Sequence, residues 1–318
     1  MPDKYRILSL DGGGIRGVLS ARILQKIVEL HPAFLDKVDM FAGTSTGAIL
    51  AAGLATGRTP QEMVDLYVDH GSTIFRTKAC LWPHFLCSKF TRVRRERVFA
   101  EYFDGHTLQS VRDVNSKGLF ISSFLLDSSE DPEPSKRLPR MWKAKFFHNL
   151  PGLSETPVFD GLEVTELLMR TSAAPTFFPI HRYYVDGGVV ANNPSLCAYA
   201  EVRNWQKKQA ELSPEQQPKP ISVLRVGTGR LPKHLHKEFD AWGILKWGKP
   251  ILEILTSAAS GLANYQCKEL LDDRYFSIDP LLPRNIGLDE VSAIPELVPR
   301  PGDIDTAALS QFMAASWN

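Results

Sequence analysis

The sequence predicts an α/β protein: a mainly parallel sheet covered by helices on both faces. Three observations carry that expectation. Short apolar runs alternate with helix-period segments along the chain. Two strand-to-helix junctions are glycine-rich turns, Asp11-Gly-Gly-Gly-Ile-Arg-Gly17 and Gly43-Thr-Ser-Thr-Gly47. At 318 residues, 43% hydrophobic and 23% charged, the chain has enough apolar material for one large core, and no repeat or low-complexity tract interrupts it.

The elements follow in order. Residues 5–10 alternate and run into Asp-Gly-Gly-Gly, as a buried strand entering a tight turn does. Residues 18–30 then place Leu19, Ile23, Ile27 and Leu30 at helical spacing. A second unit repeats this, with strand 38–41, turn 43–47 and helix 48–55. Helix 60–70 has Thr59 as N-cap, Pro60 at its first position and Glu62 in its first turn. Further strands are predicted at 119–125, 144–147, 183–185, 221–226 and 274–278, and helices at 94–103, 164–172, 194–209 and 251–271. Residues 303–315 read as a polar-ended terminal helix, and the proline-rich stretches 128–139 and 213–220 as loops.

Composition excludes several classes. A net charge of +1 gives no global attraction for nucleic acid or anionic membrane. The first residues carry no apolar signal-peptide core, and the most apolar stretch, 41–55, is too short to span a bilayer. Cys80, Cys87, Cys197 and Cys267 lack zinc-site spacing and read as free thiols. A cytoplasmic protein is expected.

The spacing Gly12-x-Gly14-x-x-Gly17 fits a dinucleotide fingerprint, a phosphate nest or an oxyanion cradle. A P-loop requires a lysine after the glycines, and none follows. The dinucleotide reading needs an acid about 20 residues on. Asp36 and Asp39 are near that distance, but their strand runs straight into the second glycine turn, which would crowd a ribose. Gly43-x-Ser45-x-Gly47, between a strand and an alanine-rich helix, has the pattern of a nucleophile elbow, with Thr44 and Thr46 flanking the serine. It leaves Ser45 at a helix N-terminus, where developing negative charge is favoured. An oxyanion still needs backbone donors, and Gly12, Gly13 and Gly14 can supply them without side chains in the way.

A serine nucleophile needs a base. By the chain order of α/β-hydrolases only His234 and His236 could serve among eight histidines, and they lie in a charged, surface-like segment. The better candidate is Asp186, at the end of a strand and followed by Gly187 and Gly188.

Taken together, Asp11-Gly-Gly-Gly-Ile-Arg-Gly17, Gly43-Thr-Ser-Thr-Gly47 and Asp186-Gly187-Gly188 resemble the patatin-like phospholipases. Ser172-Ala-Ala-Pro-Thr-Phe-Phe-Pro179, Asn192-Asn193-Pro194 and Val226-Gly-Thr-Gly229 add to the resemblance, and no motif residue departs from the family pattern. It implies a three-layer α/β/α sandwich related to cytosolic phospholipase A2. It also implies a Ser45–Asp186 dyad, an oxyanion hole from Gly12, Gly13 and Gly14 held by Arg16, and no cofactor or calcium. The domain division it suggests is a catalytic unit over 5–229, with a cap segment at about 72–103, and a mainly helical extension over 230–318 packed on it. The expected activity is phospholipase A or lysophospholipase; an acyltransferase or soluble carboxylesterase could use the same dyad, and a non-catalytic lipid-binding or storage protein is a further alternative. Lacking the leader of secreted plant patatins, the chain is more similar to the intracellular or bacterial branch.

Two segments could meet lipid. Phe75, Leu81, Trp82, Phe85, Leu86 and Phe90 adjoin Lys89, Arg92, Arg94, Arg95 and Arg97, which suits either anionic headgroups or a cap helix with a solvated face diluted by Glu96 and Glu101. Residues 241–255, with Trp242 and Trp247 around Ile244 and Leu245, suit either a membrane-touching lid or a buried helix. A phospholipid or lysophospholipid substrate, transient contact with a membrane surface and no nucleic-acid partner are the expectations.

Overall fold

The computed structural model describes residues 4–77, 87–130, 139–153, 156–213, 215, 217–233 and 244–318. Its N-terminal half runs β1 (Tyr5–Leu10), α1 (Gly17–Leu30), β2 (Met40–Gly43), α2 (Thr46–Ala55), α3 (Pro60–Ile74), α4 (Arg92–Phe103), α5 (Leu108–Asn115), β3 (Gly118–Leu125) and β4 (Lys143–His148). Then follow α6 (Thr156–Asp160), α7 (Val164–Thr171), β5 (Tyr184–Asp186), α8 (Gly188–Ala191), α9 (Ser195–Leu212), β6 (Ile221–Val226), α10 (Ile244–Leu271), β7 (Tyr275–Ile278) and α11 (Thr306–Phe312).

The strands form one seven-stranded sheet in the order β4-β3-β2-β1-β6-β7, with β5 also paired to β3. Pairing is parallel from β3 through β2, β1 and β6 to β7, while β4 and β5 run antiparallel to β3. The pleat divides the core in two. On one face Leu8, Leu10 and Phe41 pack with apolar residues of α1, α2, α3, α4 and α7; on the other Ile7, Met40, Ala42 and Val223 pack with α9 and the end of α10. The result is an α/β/α sandwich with a mostly parallel sheet.

Local chemistry explains the elements around the site. Thr59 and Glu62 close a capping box on α3 behind Pro60, with Thr59 N–H to Glu62 Oε2 at 2.7 Å. All ten residues of α2 are buried, which explains its small side chains and lack of a polar face. Helix α5 was not expected; its box uses Ser110 where glutamate is usual, with Thr107 accepting from Ser110 N–H at 3.1 Å. Helix α10 starts before Pro250 rather than after it. Residues 230–318 do more than cover the domain, since they supply edge strand β7. Among the described residues no helix is long and apolar enough to cross a membrane.

Candidate active site

Sheet register brings the two key motifs together. Strand β3 is long enough to pair with β2 along its first half and with β5 along its second, on the same edge. Gly43, ending β2, lies opposite Ile121, and Asp186, ending β5, lies opposite Ser123. The two strands therefore run toward each other and stop about 7 Å apart, two strand residues. Ser122 fills the level between them, its hydroxyl 2.6 Å from Thr44 Oγ1.

Between β2 and α2 the chain turns sharply, and Ser45 takes φ 53° and ψ −120°. This is an uncommon conformation for a side-chain-bearing residue, of the kind found at nucleophile elbows. The turn closes tightly: a Cβ on Gly43 would overlap the Gly47 carbonyl, and one on Gly47 would overlap the Leu10 carbonyl. Thr46 is held by the buried Tyr67, whose hydroxyl meets both its side chain and its carbonyl. Ser45 Oγ donates to Asp186 Oδ2 at 2.6 Å. Asp186 Oδ1 accepts the Gly188 N–H at 2.7 Å. Asp186 is 6% exposed, and burial pushes its carboxyl pKa up to about 6, against the opposing pull of the Ser45 and Gly188 hydrogen bonds and of the Arg95 charge.

The segment that leads from Thr171 into the Ser172–Pro179 motif clasps both partners. Thr171 Oγ1 accepts the Ser45 N–H at 2.9 Å, the Thr171 carbonyl accepts the Gly187 N–H at 3.1 Å, and the Ala173 carbonyl accepts the Asp186 N–H at 3.1 Å. No sequence signal marks Thr171 beyond its place at the end of a helix.

The first glycine loop lies alongside. Gly12 N–H is committed to the Asn192 carbonyl at 2.9 Å, so the three amides are not equivalent; those of Gly13 and Gly14 have no partner among the described residues. Thr228 Oγ1 and Asn192 Nδ2 donate to the Gly12 carbonyl at 3.0 and 3.4 Å. Arg16, buried, donates to the Gly13 carbonyl at 3.4 Å and to the Gly229 carbonyl at 3.1 Å. Gly14 has φ +60°, and its Cα faces the Leu288 carbonyl too closely for a side chain. Asp11 belongs to a buried network instead, accepting Arg225 Nε at 3.1 Å, while Arg225 also donates to Asp279 at 3.0 Å.

Above these residues is a cavity of about 380 Å3. Its floor holds Ser45, Asp186 and Gly12–Gly14; Ile49, Ile74, Phe75, Phe99, Phe177 and Phe178 form an apolar wall. Among the described residues no histidine lines it and no group of three or more His, Cys, Asp or Glu is placed to hold a metal. His84, His234 and His236 lie outside the described residues.

The lipid-facing segments need correction. Arg95 is not a surface cation. It is 1% exposed, donates to the carbonyls of Ser172 and Met169, and lies 4.1 Å over the Phe178 ring. Burial pushes its pKa down to about 9, which still leaves it charged at neutral pH. Lys89 lines the cavity and pairs with Asp289. Leu81, Trp82, Phe85, Leu86 and Trp242 lie outside the described residues. On α10, Leu252, Glu253 and Thr256 line the cavity, while Ile251, Ile254 and Leu255 are exposed.

A sequence profile of the patatin-like phospholipases matches residues 8–198. The chain is 28% identical over 344 residues to the putative sporulation hydrolase CotR of Bacillus subtilis, covering 99% of this chain and 98% of that one. It is 28% identical over 316 residues to the cGAMP-activated phospholipase of Escherichia coli, covering 90% and 83%. Among solved structures, VipD from Legionella pneumophila aligns with a TM-score of 0.37 at 9% identity, over 93% of this chain and 67% of that one. The profile match spans more than half of the chain, which belongs to the patatin-like phospholipase family, a family of lipid ester hydrolases.

Proposed function

We propose that the protein is a calcium-independent phospholipase A or lysophospholipase in which Ser45 is the nucleophile and Asp186 the general base. The observation that carries this reading is the 2.6 Å hydrogen bond from Ser45 Oγ to Asp186 on the floor of an apolar cavity. With a pKa near 6, Asp186 is ionised at pH 7 yet basic enough to accept a proton. As Ser45 Oγ attacks the ester carbonyl, its proton passes to Asp186. The tetrahedral oxyanion is met by the N–H groups of Gly13 and Gly14 and by the positive end of α2. Collapse expels the alcohol, which takes the proton, and leaves an acyl-Ser45. Water, deprotonated by Asp186, then releases the fatty acid and restores the serine.

The domain division is part of the same proposal. Residues 5–229 carry the reacting groups and 230–318 complete the cavity through α10 and residues 287–289. The substrate is reached by peripheral contact with a membrane from the cytoplasm.

The test is fatty-acid release from phosphatidylcholine and lysophosphatidylcholine vesicles with calcium chelated. Wild type is expected to be active, Ser45→Ala and Asp186→Asn to lose at least about a thousand-fold, and the double variant His234→Ala/His236→Ala to stay active. Equal loss in the histidine variant would overturn the assignment of the base.

A further inference from the structure

The rim of the cavity carries charges that the dyad does not use. Lys89 and Asp289 both line it and pair with each other across 200 positions of sequence. Lys89 is fixed from behind: its N–H donates to the Thr176 carbonyl at 3.0 Å, and that of Phe90 to the Phe177 carbonyl at 2.8 Å. Asp289 follows Leu288, whose carbonyl accepts the Ile15 N–H at 2.7 Å at the back of the glycine loop. Glu253, also at the rim, pairs with Lys233. The wall formed by Ile49, Ile74, Phe75 and Phe99 is apolar. An acyl chain held at Ser45 belongs on that wall, and the rest of its lipid is then left facing the rim.

We propose that the Lys89–Asp289 pair reads the headgroup and selects zwitterionic, net-neutral glycerophospholipids, with the phosphate on Lys89 and the amine on Asp289. This rests on the reading of the protein as a lipid acyl hydrolase acting through Ser45. The Lys89–Asp289 pair is itself a dipole, one ammonium beside one carboxylate, and a phosphate–amine head is its charge complement. A partly exposed ion pair contributes little, so it exchanges readily for two pairs to the lipid. A net-anionic head, such as phosphoglycerol, places its single negative charge on Lys89 and leaves Asp289 and Glu253 facing an uncharged glycerol, without an amine to meet them.

The test is calorimetric titration of the Ser45→Ala protein with dihexanoyl-phosphatidylcholine, dihexanoyl-phosphatidylglycerol and inorganic phosphate, each lipid below its micelle concentration. The choline lipid is expected to bind about ten-fold tighter than the glycerol lipid, the scale of one charge-assisted contact. Adding Asp289→Asn is expected to bring the ratio to about one, and adding Lys89→Ala to weaken both lipids about ten-fold. The charge swap Lys89→Asp/Asp289→Lys keeps an ion pair between the two segments and is expected to fold and lose the preference. Equal affinities without a rim substitution, a preference that survives Asp289→Asn or the swap, or inorganic phosphate binding as tightly as the choline lipid would each overturn the proposal. Fatty-acid release by the wild type from vesicles of the corresponding long-chain lipids separates the two readings. Release without preference sinks the headgroup reader alone; a binding preference without release sinks the hydrolase reading alone.

Discussion

The floor and the rim of the cavity are built on opposite terms. On the floor the Ser45 N–H, the Ser45 hydroxyl and the Gly188 N–H each meet a defined acceptor at 2.9, 2.6 and 2.7 Å, and the elbow glycines have no room for a methyl group. At the rim, the side chains of Lys89 and Asp289 are 40% and 17% exposed and those of Lys233 and Glu253 are 38% and 46% exposed. Such pairs are worth about 0–1 kcal/mol each. The difference separates two tasks. In the function proposed, the reaction uses tightly packed, hydrogen-bonded groups, whereas recognition of the rest of the substrate falls to side chains that exchange partners at little cost.

The floor is most sensitive at its tightest point. Gly47→Ala sets a methyl group against the Leu10 carbonyl, and β1 and α2 must part to admit it. A loss of about 3 kcal/mol or more in urea unfolding is expected; a loss under about 1 kcal/mol would show that the floor can give.

Asp186 sharpens the contrast by tying chemistry to stability. Its buried carboxyl has a pKa of about 6 against the ordinary 3.8, so the ionised form is the one that burial penalises. The group's contribution to stability is therefore fully present below about pH 4 and lost as pH rises through about 6. Asp186→Asn removes that cost. The variant is expected to be ~2–3 kcal/mol more stable than wild type at pH 7 while inactive, with the gap closing on acidification. An advantage over wild type no larger at pH 7 than at pH 4 would contradict this account of the base.

Thr171 gives the smallest expected change. Thr171→Val leaves the part-buried Ser45 N–H without its acceptor, which costs about 1–2 kcal/mol and is expected to appear in kcat, with KM little changed. Thr171→Ser keeps the hydroxyl and is expected to restore most of the rate. Equal losses in both variants would reduce Thr171 to a packing role.

The floor was largely legible in the sequence because its parts are local. Alternation marked 5–10, helical spacing marked the helix after it, and the glycine turns announced where strands end. Strand β2 was read two residues early because Gly43, the last strand residue, also belongs to the turn motif. The antiparallel placement of β5 was not legible, since its partner β3 lies some 60 residues earlier and nothing near Asp186 encodes the register. Thr171 acts through a hydrogen bond to a residue far away in the chain, which leaves no local pattern; Asn192 and Thr228 fall in segments that the resemblance marked, but their bonds to the Gly12 carbonyl could not be read there. The rim was misread for a related reason. Arg95 and Lys89 counted as members of one basic cluster, but helical geometry turns Arg95 inward, and the partner of Lys89 lies in the last tenth of the chain.

The most direct measurement of the central claim is reaction with a fluorophosphonate, followed by peptide mapping in the mass spectrometer. The reagent phosphonylates a serine only when its hydroxyl is activated. The expected result is one stoichiometric adduct, on Ser45, formed at least about a hundred-fold more slowly in Asp186→Asn. An adduct on another serine, or labelling of Ser45 at an unchanged rate without Asp186, would contradict the dyad.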